Sequence, residues 1–159
     1  MSLSAADWIT RLELEPHPEG GFFRETYRST TGVLTPQGTR AAATHIYFLL
    51  RSGECSHLHR IQSDEGWHFY AGSPLVIHQF AEGYSSTVLG DLEHGRSPFQ
   101  AVVPAGVWFG AEPLREGYSL VGCTVSPGFD FKDFELADSD ALHKRYPDHA
   151  ALLQRLCLK

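Results

Sequence analysis

Gly53 to Gly72 reads G-E-C-S-H-L-H-R-I-Q-S-D-E-G-W-H-F-Y-A-G. His57 and His59 stand one residue apart. Side chains on a strand alternate between faces, so an H-x-H pair sends both imidazoles to the same side. Glu65 heads E-G-W-H-F-Y, a run rich in strand formers. The residues between, Arg60 to Asp64, suffice to turn the chain, which makes the Glu65 strand the antiparallel neighbour of the histidine strand. Two imidazoles and a carboxylate then meet on one inner face, a donor set for zinc, iron, manganese or nickel. An isolated H-x-H also occurs on exposed strands; here Gly53 and Gly72 bracket the segment.

Outward from this stretch, short apolar runs and turn signals alternate. Strands are expected at Phe22–Ser29, Ala41–Leu50, Cys55–Ile61, Glu65–Tyr70, Leu75–Phe80, Ser85–Leu89, Phe99–Val103 and Tyr118–Val125, with a loop or hairpin over residues 30–40. Gly90 to Ser97 reads as a polar connection and Pro104-Ala105-Gly106 as a tight turn. Ser4 to Leu14 reads as a helix, with Ser4 and Asp7 forming a variant capping box and Trp8 packing on the barrel. Phe129 to Phe134 reads as an extended segment laid across the barrel, and Asp138 to Leu158 as helix broken at Pro147. The fifteen glycines and nine prolines supply the many turns of an all-β architecture, a sandwich or barrel.

The 159 residues fit one domain, residues 1–159, with a helix at about 4–14, a barrel at about 20–126 and a C-terminal part at about 127–158. A net charge of −6 argues against nucleic acid as a partner. No run approaches the ~20 apolar residues of a membrane helix, which argues against a membrane. Cys55, Cys123 and Cys157 are odd in number and widely spaced, so they read as reduced thiols in a cytoplasmic protein rather than a disulfide framework.

The first stretch resembles the first motif of the cupins, in which Gly precedes H-x-H, a Glu follows a short loop and a Gly closes the second strand. Pro104-Ala105-Gly106-Val107-Trp108 resembles the frame of the second motif, but Phe109 stands where its histidine ligand is found. Segments such as L-E-P-H-P-E-G-G-F-F-R-E-T-Y-R-S and Y-S-L-V-G-C-T-V-S-P-G-F-D-F-K-D-F-E-L extend the likeness over residues 12 to 136, to a small cupin branch similar in fold to germins and nucleotide-sugar 3,5-epimerases. The resemblance implies an all-β double-stranded β-helix (a jelly-roll barrel) with short terminal helices, a homodimer, and a pocket for a small-molecule ligand. It also implies one divalent metal on His57, His59 and Glu65, a site that Phe109 weakens; His78 or His45 is a substitute ligand.

Three functions fit this reading. The first is a sugar isomerase or epimerase, with His59 as base, Glu65 orienting it or binding metal, and Tyr118 or Tyr47 as acid. Arg24, alternating with aromatics on its strand, holds an anionic group or belongs to a solvated edge. Tyr47, Trp67, His78 and Trp108 line the pocket or fill the core. The second is a ligand-binding module without turnover. The third is a metal-dependent dioxygenase-like enzyme.

Overall fold

The computed structural model describes residues 2–93 and 97–158; residues 94–96 of the expected polar connection lie outside the described residues. Thirteen strands are described: β1 (Glu15–Pro16), β2 (Phe22–Arg28), β3 (Gly32–Thr35), β4 (Gly38–Ala41), β5 (Thr44–Arg51), β6 (Ser56–Arg60), β7 (Asp64–Gly72), β8 (Leu75–Phe80), β9 (Tyr84–Leu89), β10 (Gln100–Val103), β11 (Trp108–Pro113), β12 (Tyr118–Ser126) and β13 (Glu135–Leu136). Helix α1 (Ala5–Arg11) precedes them, and α2 (Ser139–Arg145) and α3 (Ala150–Leu156) follow. One sheet runs β1-β2-β5-β12-β7-β10 and the second β13-β6-β11-β8-β9; β3 and β4 form a separate hairpin. The fold is an all-β double-stranded β-helix with short terminal helices. No helix among the described residues is long and apolar enough to cross a membrane.

Three apolar clusters hold the parts together. Phe48, Trp67, Leu75, Ile77 and Phe109 belong to the one between the sheets. The other two lie outside it. Trp8, Leu12 and Leu14 pack on Leu49 and Leu120, so α1 covers the outer side of β5 and β12. Leu142, Tyr146, Leu153 and Leu156 pack on Leu58 and Phe80, so α2 and α3 cover the outer side of the smaller sheet. Helix α1 begins as expected: the Ser4 hydroxyl accepts the Asp7 amide, and the Asp7 carboxylate accepts the Ser4 amide. The Phe129–Phe134 segment is not fully extended. It holds a 3-10 turn at Phe131–Asp133, latched by Arg40, whose guanidinium donates to both Asp133 carboxylate oxygens at 2.7 and 2.8 Å.

Gly72 closes β7 at φ 93°, and a Cβ there would lie 2.0 Å from the Tyr118 carbonyl oxygen. Gly72→Ala is expected to lower the thermal unfolding midpoint, since a forced left-handed residue costs about 1–3 kcal/mol before any clash. An unchanged midpoint would contradict this packing.

Candidate functional site

Between the sheets lies a cavity of about 330 Å³. Its polar floor is His17, Glu19, His59, Glu65 and Cys123, and its walls include Phe23, Ile46, Val125 and Phe129. Each side chain arrives for a local reason. His59 and Glu65 come from neighbouring parts of the opening stretch, His59 on β6 and Glu65 near the start of β7. Both are buried, at 2% and 7% exposure. Cys123 faces inward on the central strand β12, with Glu65 close by.

Glu19 arrives on the turn between β1 and β2, where no strand pattern marks it. It is 7% exposed, and its Oε2 lies 3.1 Å from His59 Nε2. Two glycines place it. Gly20 and Gly21 have φ of 105° and 75°, and a Cβ on Gly20 would lie 2.3 Å from the Cys55 carbonyl oxygen. Only glycine lets this turn press so closely on the chain leading into β6. His17, from the same turn, accepts the Glu19 amide at Nδ1 (3.0 Å), which leaves Nε2 as the protonated nitrogen of its neutral ring. The sequence signal that would have found both was His17-Pro18-Glu19-Gly20-Gly21: two ionisable residues just ahead of a glycine pair.

His57 does not join His59 in the cavity, contrary to the expected metal trio. Its backbone amide and its ring Nδ1 both donate to the Glu19 carbonyl, at 2.9 and 2.7 Å, and its ring lines a second cavity beside Cys55, Glu112 and Arg155. The His57 carbonyl in turn accepts His59 Nδ1–H at 2.7 Å. His57 therefore holds Glu19 with its donors and fixes the His59 tautomer with its acceptor. The second-motif frame is met: Phe109 is the cross-strand partner of His59, with ring centroids 4.2 Å apart. Phe134 stacks on the same imidazole at 5.2 Å. Among the described residues no three His, Cys, Asp or Glu side chains are grouped to hold a metal ion, so the expected trio does not fit one. The substitutes do not complete it: His78 binds Glu112 and Tyr84, and His45 packs on Tyr27.

Other expected site residues also lie elsewhere. Arg24 points out of the barrel and pairs with Glu13 at 2.8 Å. The ladder between β2 and β5 shifts register between Glu25 and Tyr27, and this irregularity brings Arg28 to the cavity side with Phe23 and Glu25. An arginine of β2 thus does reach the cavity mouth, but it is Arg28, whose Nε and Nη2 donate to Glu25 at 2.9 and 2.8 Å. Tyr47 faces outward on β5, edge-on to Tyr70. Trp67 is packed in the inner core against Phe48 and Phe109. His78 and Trp108 lie on the outer side of the smaller sheet, Trp108 beneath the Arg60 guanidinium. Tyr118 lies outside the barrel, where its hydroxyl donates to the Leu3 carbonyl and accepts Trp8 Nε1–H, both at 2.9 Å. Tyr118→Phe is expected to lower stability by about 1 kcal/mol, the worth of an ordinary hydrogen bond, and to leave ligand binding in the cavity unchanged. Thermal unfolding and ligand titration of the variant check both halves.

Burial sets the charge states of the floor. It raises the Glu19 carboxyl to about 8 and the Glu65 carboxyl to about 7. It lowers His17 to about 4, lowers His59, and pushes the Cys123 thiol well above its ordinary value. At neutral pH, Glu19 is mostly a neutral acid facing the Nε2 lone pair of a neutral His59, so the two hold one proton between them. Glu65 is divided between acid and base.

The sequence profile described as cupin superfamily (DUF985) matches residues 6–137. The chain is similar over 99% of its length to a hypothetical protein from Leishmania major, at 38% identity, TM-score 0.90 and full coverage of that chain. It is similar to a protein from Shewanella oneidensis at 45% identity, TM-score 0.89 and 99% coverage of both chains. A Bacillus subtilis oxalate decarboxylase, at 14% identity and TM-score 0.56, shares the fold; the match covers 89% of this chain and 36% of that one. No curated protein matches the chain.

Proposed function

The chain belongs to the cupin superfamily, in the family described as DUF985, and on that premise we propose that its cavity moves protons on a small polar carbonyl compound, as an isomerase or epimerase of the sugar type. What carries the reading is the pair of buried carboxyl groups, Glu19 and Glu65, raised to about 8 and about 7 in one cavity with His59. Two ionisable groups held near neutrality in one enclosed space suit a base and an acid working in turn.

In this reading Glu65 is the base. Its carboxylate takes the proton from the carbon next to the carbonyl. The C–H electron pair becomes a C=C bond, and the carbonyl oxygen takes the proton held between Glu19 and His59. The enediol collapses when the proton on Glu65 goes to carbon, on the other face or at the neighbouring position, and a hydroxyl proton returns to the Glu19–His59 pair. No electrons leave the substrate and no co-reactant is consumed. The roles differ from the expectation that His59 acts alone: its Nδ1 is committed to the His57 carbonyl, and Nε2 works through Glu19.

At about 330 Å³ the cavity is at the lower end of the ~300–1,000 Å³ of small-molecule sites, which favours free sugars and hydroxy ketones over nucleotide-linked ones. Incubating the protein in deuterated water with a panel of free aldoses, ketoses and hydroxy ketones is expected to place deuterium next to the carbonyl of at least one. Stabilisation by a panel member with no uptake by any would replace this reading with a binding module that does not turn its ligand over.

A further inference from the structure

The charges facing the cavity do not balance. Two carboxyl groups, each 7% exposed, stand on the floor. Among the lining residues Arg28 is the one arginine, and there is no lysine. Every nitrogen of the Arg28 guanidinium is engaged: Nε and Nη2 by Glu25, and Nη1 by the Phe129 carbonyl at 3.0 Å. Glu65 forms no ion pair with an arginine or lysine among the described residues; the weakly polar Cys123 thiol is beside it. A ligand phosphate or carboxylate entering here would meet four lining carboxyl groups, Glu19, Glu25, Glu65 and Asp130, and no free arginine or lysine. Phe23, Phe129 and Phe131 line the walls. Phenyl rings also favour a cation over an anion at their faces.

We propose that the ligand of this cavity is a small organic ammonium compound of free-sugar size or less, its protonated amine held against the Glu65 carboxylate between phenyl walls. The amine supplies the counter-charge that the protein itself does not place there. One Glu65 oxygen holds the amine and the other stays free for the carbon-bound proton, while the Glu19–His59 pair keeps its proton for the ligand's oxygen. This inference rests on reading the cavity as the functional site, and it names the class of compound that the proton chemistry would act on.

The test uses two matched series on the full-length wild-type protein: 2-aminoethanol, ethane-1,2-diol and glycolate; and D-glucosamine, D-glucose and D-gluconate. Binding is read by calorimetry and by thermal shift at millimolar concentrations. Each ammonium compound is expected to bind about 10–100-fold more tightly than its neutral and anionic counterparts, the worth of one charge-assisted hydrogen bond. In Glu65→Gln that preference is expected to vanish. A neutral or anionic member binding as well as its amine would overturn the proposal, as would no binding by either amine. The wild-type series decides the matter even if the variant folds poorly. Deuterium uptake from a neutral sugar with no amine preference would remove this inference and keep the proton-transfer reading; amine preference with no deuterium uptake from any panel member would do the reverse.

Discussion

Glu65→Gln is expected to cut solvent-deuterium uptake by about 10²–10⁴-fold, the usual contribution of a general base. Glutamine has the same shape and fills the same space, so the cavity walls and the His59 imidazole stay where they are. What is lost is the capacity to take a proton from carbon. In the wild type, uptake is expected to rise as pH passes about 7, where Glu65 ionises, and to fall above about 8, where Glu19 gives up the proton it shares with His59. The variant loses the rising limb. Uptake by Glu65→Gln at the wild-type rate would remove Glu65 from the chemistry and leave it a structural acid.

The same substitution is expected to make the protein more stable than wild type above pH 8, as read by thermal unfolding across pH. A carboxyl whose folded value is raised contributes stability fully below its ordinary value of 4.5, and the contribution is lost as pH rises through the folded value. For Glu65 that runs from 4.5 to about 7, and for Glu19 from 4.5 to about 8. At 1.36 kcal/mol per unit, ionising buried Glu65 costs roughly 3 kcal/mol. The imidazoles act in the other direction. His17 falls from 6.5 to about 4, so its contribution is full above 6.5 and lost as pH falls through about 4; His59 moves the same way. Above pH 6.5 the carboxyls alone erode stability, below 4.5 the imidazoles alone do, and the maximum lies between. Glu65→Gln should make the loss between pH 4.5 and 7 shallower, keep the loss due to Glu19 and leave the side below 4.5 unchanged. A variant that loses stability in parallel with wild type from pH 4.5 to 7 would show that Glu65 is not buried as an acid.

The strand pattern was legible because each strand is short and bounded by turn residues. Leu75–Phe80 has the same limits in sequence and structure. Strand β11 was not among the expected strands, because Trp108, Phe109 and Gly110 follow the Pro104-Ala105-Gly106 turn without a boundary of their own. The first cupin motif led to His59 and Glu65, which the structure brings to one cavity. Most of the remaining site was not legible, for a specific reason. Period-two alternation separates inside from outside only when one face meets water. Here α1 covers the outer side of β5 and β12, and α2 and α3 cover the outer side of β8 and β11. Tyr47, Tyr118, His78 and Trp108 sit on those covered outer faces and read like interior residues. Arg24 was misplaced by strict alternation along β2, which the irregularity after Glu25 breaks in favour of Arg28. His17 and Glu19 belong to no strand, and no periodic pattern could point to them.

Gly20 fits against the Cys55 carbonyl with no room for a side chain, and His57 grips the Glu19 carbonyl from two directions. In the proposed reaction the acid therefore reaches its working position during folding, not during turnover. For that reaction, little backbone would have to rearrange as charge moves across the cavity, and the reorganisation part of the barrier would be settled by folding. A site built this way gives up adaptability: it favours the one guest whose atoms match a fixed proton address.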